Sequence, residues 1–392
     1  MSSEPQTYDF DDIRPYGDDE VVKVIERLVD NREFIDTLAS MKFPRLMRWL
    51  PVYLQPLIYK IINRVLGREF GHLESVSECQ QLIAEQLGSL LGRVADGVSV
   101  TGLDKLDSDR AYLFISNHRD IAMDPAMVNF ALHGQGRDTT RIAIGDNLLT
   151  KPFTSDLMRL NKSFIVKRSA TARREKMAAL KELSAYIEHS LKVDKQSIWI
   201  AQREGRAKDG IDGTETALLK MLVLNKAKGV SFAEAFERIH IVPVAISYEW
   251  DPCDGAKAQE LYALQSEGTY VKGEHEDIDN IYLGITGDKG HIEVAFGEEL
   301  KGPFNDAGLA AAAIDQQITE NYRLQAGHLL AYEALYGQTP DIVPLKQALG
   351  TIDWDARRSV LEERLSGLPA EYRNIMLAAY ANPVRVRLGV KT

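Results

Sequence analysis

Apolar and polar positions follow two rhythms along this chain, and the changes of rhythm divide it. Over 21–38 and 75–94, apolar residues recur at the three-to-four spacing of a helix buried on one face. Ser75 and Glu78 stand three apart at the start of the second stretch, the spacing of a capping box. From Val98 onward, short apolar runs are separated by polar helical segments. The runs at 98–103, 111–115, 141–144, 163–167, 197–201, 240–248, 281–285 and 292–296 read as strands. Helical spacing fills 171–191 and 215–225 between them. After Pro303 the helical rhythm returns over 309–336, 354–365 and 371–381. This alternation predicts an α/β fold, a mixed sheet flanked by helices with helical N- and C-terminal additions. Three parts are expected: a helical region over 1–97, the α/β domain over 98–300 and a helical extension over 301–392. Pro243 lacks an N–H, which predicts an edge or bulge position for the run around it.

Composition narrows the function classes. The chain has 392 residues, 45% of them hydrophobic and 27% charged, as in ordinary globular proteins. A formal net charge of -10 argues against a general nucleic-acid binder. The stretch 41–68 reverses that sign. It carries Lys42, Arg45, Arg48, Lys60, Arg64 and Arg68 among many apolar and aromatic residues, with no Asp or Glu. Cationic amphipathic segments of this kind lie in a membrane interface. A helical pair packed on the main domain with its basic residues in water has the same pattern. No run of 18 apolar residues suggests a membrane span, and the polar first residues do not read as a secretory signal. Cys79 and Cys253 are the only cysteines; they suggest neither a disulfide framework nor zinc and fit a reduced, cytoplasmic setting. Cys253 sits in an acidic loop, Asp251-Pro252-Cys253-Asp254, which disfavours a reactive thiolate.

Four segments carry candidate chemistry. The first, Ser116-Asn117-His118-Arg119-Asp120-Ile121-Ala122-Met123-Asp124-Pro125, follows the run at 111–115. A histidine at a strand end with a carboxylate one or two turns on builds an oriented base. Asp124 is the first choice for that carboxylate and Asp120 the fallback; alternatively, Asp124 only caps the helix that follows. A backbone amide or Asn117 is the candidate to steady a developing oxyanion. The second segment ends a strand with Lys167 and Arg168, beside a helix start where phosphate binds readily. The third, Gln202-Arg203-Glu204-Gly205-Arg206-Ala207-Lys208-Asp209-Gly210, places dense charge and glycine directly after an apolar strand. Its arginines suit two-pronged contact with an anion, Gly205 permits close backbone approach, and Glu204 suits orienting a guanidinium or bonding a polyol. The fourth, 241–248, is mainly apolar and reads as core or pocket wall.

Taken in order, these segments resemble the glycerophospholipid acyltransferase family. Ser-Asn-His118 with Asp124-Pro125 is similar to its first motif, with five residues between His and Asp where the family has four. Phe-Ile-Val-Lys167-Arg168 resembles its second motif. Glu204-Gly205-Arg206 resembles its Glu-Gly-x-Arg motif one residue short, or alternatively Gly205-Arg206-Ala207-Lys208-Asp209-Gly210 resembles the Gly-Arg-Ser-Arg-x-Gly form of the glycerol-3-phosphate acyltransferases, and Val242-Pro243-Val244 is similar to its fourth. The resemblance covers roughly residues 98 to 300. It implies transfer of a fatty acyl group from acyl-CoA or acyl-ACP to glycerol-3-phosphate or 1-acylglycerol-3-phosphate. His118 would be the base, Asp124 (or Asp120) its orienting partner, and Lys167, Arg168, Arg203, Glu204, Gly205 and Arg206 the acceptor site. No metal or cofactor beyond the thioester co-substrate is expected. The expected partners are the acceptor, the thioester donor and a membrane surface, with a cytoplasmic location on the inner face of a membrane. A catalytically inactive, membrane-associated scaffold is the alternative.

Overall fold

The computed structural model describes residues 8–42, 55–149, 151–273 and 275–390. Among these, the helices are α1 (Asp18–Asp30), α2 (Arg32–Lys42), α3 (Gln55–Phe70), α4 (Val76–Val94), α5 (Met123–Gly134), α6 (Pro152–Leu160), α7 (Arg173–Lys192), α8 (Thr216–Leu222), α9 (Phe232–Glu237), α10 (Asp254–Glu267), α11 (Glu276–Thr286), α12 (Ala307–Asn321), α13 (Ala326–Tyr336), α14 (Val343–Ala348), α15 (Trp354–Ser366) and α16 (Ala370–Arg387). The strands are β1 (Gly97–Thr101), β2 (Leu113–Ser116), β3 (Arg141–Gly145), β4 (Ser163–Val166), β5 (Ile198–Ala201), β6 (Ile241–Tyr248) and β7 (His291–Phe296). The chain forms two compact units, one of Met1–Gln86 with Arg141–Glu182, the other of Leu87–Thr140 with Leu183–Thr392. These limits differ from the expected ones at 97/98 and 300/301.

In the first unit β3 and β4 pair in parallel, Ile142 opposite Ser163 and Gly145 opposite Val166. Val21, Val24, Ile25 and Leu28 of α1 recur at helical spacing and are buried with Ile35, Leu66 and Cys79. The capping box of Ser75 and Glu78 forms, Glu78 N–H donating to Ser75 Oγ at 3.2 Å and Ser75 N–H to Glu78 Oε2 at 3.1 Å. Of the basic stretch 41–68, residues 43–54 lie outside the described residues. The remainder is mostly α3, which buries Leu66 and exposes Lys60, Ile61, Arg64 and Val65.

The second unit holds a mixed sheet whose strands lie in the order β1-β7-β6-β2-β5. β6 and β7 are antiparallel; the pairs β1–β7, β2–β6 and β2–β5 are parallel. Ser116 is opposite both Ala201 and Val244, so the C-terminal ends of β2, β5 and β6 gather at one edge. Ligand sites in open α/β sheets form outside such an edge. Helices α5 and α12 pack on this sheet. A second core joins Trp250 and Ala258 to Leu330, Ala331, Leu361, Met376 and Tyr380 of the C-terminal helices.

Three expectations are corrected. The run at 281–285 is helical, part of α11. Glu276, Asp277 and Asp279 in its first turn suit a helix N-terminus, and this outweighs the strand-like Ile-Tyr-Leu. The stretch 309–336 is two helices, broken at 322–325. β6 is an inner strand between β2 and β7, not an edge. Pro243 is tolerated there because its carbonyl, and hence its missing N–H, points to the β7 side, where Phe296, the last β7 residue, already pairs with Val244.

Candidate active site

The chain leaves β2 through Asn117, which is fully buried. Its Nδ2 donates to Ile246 O at 2.9 Å, and Ile246 N–H donates to its Oδ1 at 2.8 Å. The amide therefore stitches β2 to β6 and pins the backbone just before His118. It is not presented for an oxyanion. Ser116 Oγ accepts from Trp199 Nε1 at 3.0 Å and donates to Asn117 O at 2.7 Å, and the Trp199 ring meets the His118 ring at 5.8 Å with planes 68° apart.

His118 Nδ1 donates to Asp124 Oδ2 at 2.8 Å. That bond assigns the proton to Nδ1 and leaves Nε2 as the basic nitrogen. Among the described residues nothing bonds to Nε2, and the His118 side chain is 14% exposed. Asp124 is wholly buried. Its Oδ2 also accepts from the N–H groups of Arg119 (2.6 Å) and Asp120 (2.9 Å), and its Oδ1 accepts from Tyr248 OH (2.9 Å). These donors compensate the desolvation of a buried carboxylate.

Asp120 points elsewhere. Its Oδ1 accepts from Ala122 N–H (2.9 Å) and Met123 N–H (2.8 Å), the pattern of a helix cap for α5. Its Oδ2 lies against the backbone of α11, so close that a Cβ on Gly284 would stand 2.1 Å away. Burial, and then Asp124, push the Asp120 carboxyl above the usual range. The cap is thus Asp120, while Asp124 turns back to the histidine.

The third segment lies along the first. Gln202 N–H donates to Ser116 O at 2.8 Å, and Ala207 N–H to His118 O at 2.7 Å. Arg206 is 8% exposed, and its Nη1 is buried without a hydrogen-bond partner. Arg203 Nε is in the same state. A buried guanidinium nitrogen left unpaired is costly, and a bound anion would satisfy it. Glu204 and Gly205 are exposed, and Gly205 has φ +76°, which glycine adopts without strain. Lys208 pairs with Glu260.

Two residues that hold this arrangement were not singled out from sequence. Arg119 Nη2 bonds to Gly210 O (3.2 Å) and Asp212 Oδ2 (2.6 Å), and its guanidinium lies 5.5 Å from the Tyr322 ring centroid. Burial acts to lower its pKa, but Asp212 keeps it firmly protonated. Tyr248 is the second, ending a run read as core. The C-terminal helices hold the loop as well. Asn382 Nδ2 donates to Asp209 O (2.8 Å), and Thr214 Oγ1 donates to Asp315 Oδ1 (2.6 Å).

Lys167 and Arg168 belong to the first unit. Lys167 Nζ bonds to Asp12 (2.5 Å) and Glu182 (2.9 Å), which raise its pKa against the opposing effect of burial. Arg168 N–H donates to Asp146 Oδ1 at 3.0 Å. Among the described residues no group of His, Cys, Asp and Glu is placed to hold a metal ion.

Residues 97–247 match the family model described as Acyltransferase. No curated protein matches the chain. Among solved structures, the 1-acyl-sn-glycerophosphate (LPA) acyltransferase PlsC from Thermotoga maritima is similar at 15% identity, covering 71% of this chain and 97% of that one with a TM-score of 0.37. The matched segment contains His118, Asp124, Arg203 and Arg206. Residues 97–247 thus match an acyltransferase domain, and the four motif-like segments of the chain lie within that stretch or end one residue beyond it.

Proposed function

We propose that this acyltransferase moves a fatty acyl group from acyl-CoA or acyl-ACP to a hydroxyl of glycerol-3-phosphate or 1-acylglycerol-3-phosphate in phospholipid synthesis. The observation that carries the reading is the His118–Asp124 pair, with Nε2 free at the sheet edge. Nε2 of His118 takes the acceptor hydroxyl proton as the oxygen attacks the thioester carbonyl. The carbon–sulfur bond then breaks, and the leaving thiolate takes that proton from the imidazolium. Asp124 holds the ring and stabilises its charged form. Arg206 and Arg203, with buried unpartnered nitrogens, hold the acceptor phosphate and fix its hydroxyl against the carbonyl. Glu204 and Gly205 complete that loop, and for Lys167 and Arg168 the motif resemblance alone implies a part in binding the acceptor. The reaction needs no metal. On α3, exposed Ile61 and Val65 beside Lys60 and Arg64 support contact with an anionic membrane surface from the cytoplasmic side.

The test is thiol release from palmitoyl-CoA and palmitoyl-ACP with glycerol-3-phosphate, with 1-acylglycerol-3-phosphate and without acceptor. Release that requires one acceptor and disappears in a folded His118→Ala variant is the expected result. Release without acceptor identifies a thioesterase. No release from either donor, with lipid vesicles present, replaces the reading with that of a scaffold.

A further inference from the structure

We propose that Tyr248 is a positioning residue for the base: its hydroxyl fixes the Asp124 carboxylate so that Oδ2 faces His118 Nδ1. The inference rests on the acyl-transfer reading for its kinetic consequences but not for its geometry.

Asp124 Oδ2 is shared by His118 Nδ1 and two backbone N–H groups, whereas Tyr248 is the one donor to Oδ1 among the described residues. Without it Oδ1 loses that donor and the carboxylate is held through Oδ2 alone. Tyr248 itself is well fixed. It is the last residue of β6, four past Val244, which is the register partner of Ser116, and the antiparallel ladder pairs it with Ile292. It is buried, with its hydroxyl on Asp124. Burial, and then Asp124, push the phenol well above its ordinary pKa, so it keeps its proton and donates. It lies one residue beyond the segment matched by the family model.

A donor on Oδ1 draws negative charge away from the carboxylate and weakens its hold on a protonated His118. Tyr248→Phe should therefore favour the protonated ring of His118, and 3-fluorotyrosine at position 248, a stronger donor, should disfavour it. Arg119, Asp120, Asp212, Asp251, Lys257 and Lys289 also surround this cluster, and they are the same in every variant. A difference between variants therefore reports on position 248.

The experiment follows the His118 ring by NMR across a pH series in the full chain, with thiol release measured in parallel. Opposite shifts in the two variants are expected. With them should come a kcat loss of about tenfold in Tyr248→Phe, the scale of one hydrogen bond to a charged group. The acid limb of kcat/KM should move up, with little change in acceptor KM. An unchanged His118 titration in both variants overturns the inference, even if activity falls. Shifted titrations in a chain that releases no thiol leave Tyr248 in its positioning role and remove the acyl-transfer reading instead.

Discussion

Asp120 and Asp124 lie four residues apart and are both buried, yet they face opposite ways. Asp124 accepts from His118 Nδ1, while Asp120 accepts from the amides of Ala122 and Met123 at the entry to α5. Asparagine tells them apart. Asp124→Asn leaves no charge to hold the imidazolium, and kcat/KM should fall by roughly 10²–10⁴-fold with the fold retained. Asp120→Asn keeps the capping oxygen, so turnover should stay within a few-fold. Its stability should respond in the opposite sense. The folded state raises the Asp120 pKa, which penalises the native chain above the unfolded pKa of about 4 and relieves it as pH falls. Asp120→Asn should thus be at least as stable as the natural chain at pH 7, and lose that advantage near pH 4. Urea unfolding at the two pH values checks this. The sequence contained both aspartates but not the doubling back of 119–122 that selects between them. It likewise marked Asn117 as polar and near the base, but side chains alternate along a strand, which turns Asn117 toward β6 and away from the face of His118.

At the scale of elements, the loop after β5 is set by helices far along the chain. Gly210 has φ +78°, and a Cβ there would stand 1.9 Å from Ala379 O of α16. Gly205 has nearly the same φ, +76°, with nothing within 4 Å of its Cβ position. Both alanine variants pay the left-handed backbone term, about 1–2 kcal/mol. Only Gly210→Ala must also displace α16 or the loop. It should lose at least about 2 kcal/mol and raise the acceptor KM, while Gly205→Ala loses less. Thermal unfolding with acceptor titrations compares them. This dependence was not legible in sequence, because Arg119–Tyr322, Asp209–Asn382 and Thr214–Asp315 join residues far apart in the chain. The strands were legible, since their apolar runs are short and bounded. The break at 322–325 was hidden by apolar spacing that continues across it. Only the fold shows Tyr322 leaving the helix to lie beneath Arg119.

On the scale of the whole molecule, acid should act on the second unit through a histidine outside the site. His328 is 3% exposed. Its Nδ1 accepts from Gln325 N–H at 2.9 Å, and its Nε2 lies 3.1 Å from Tyr322 OH, so the neutral ring donates to the tyrosine that underlies Arg119. Burial, with Arg119 adding to it, pushes its pKa down to about 3. The unfolded value is about 6.5. A depressed folded pKa means that this contribution is complete above about 6.5 and is lost as pH falls toward about 3. The slope for one such group is at most about 1.4 kcal/mol per pH unit. Other groups titrate in the same range. Burial raises the carboxyls of Asp120, Asp254 and Asp315, and these favour the folded chain on acidification. The informative quantity is therefore the difference between the natural chain and His328→Gln, whose amide can accept from Gln325 N–H and donate to Tyr322 without taking a proton. Urea unfolding followed by tryptophan fluorescence suits the measurement, because Trp199, Trp250 and Trp354 all lie in the second unit. From pH 7.5 to pH 4.5 the natural chain should lose stability relative to His328→Gln. If the two curves stay parallel, His328 takes up its proton as readily folded as unfolded, and the folded ring does not stay neutral beneath a charged Arg119.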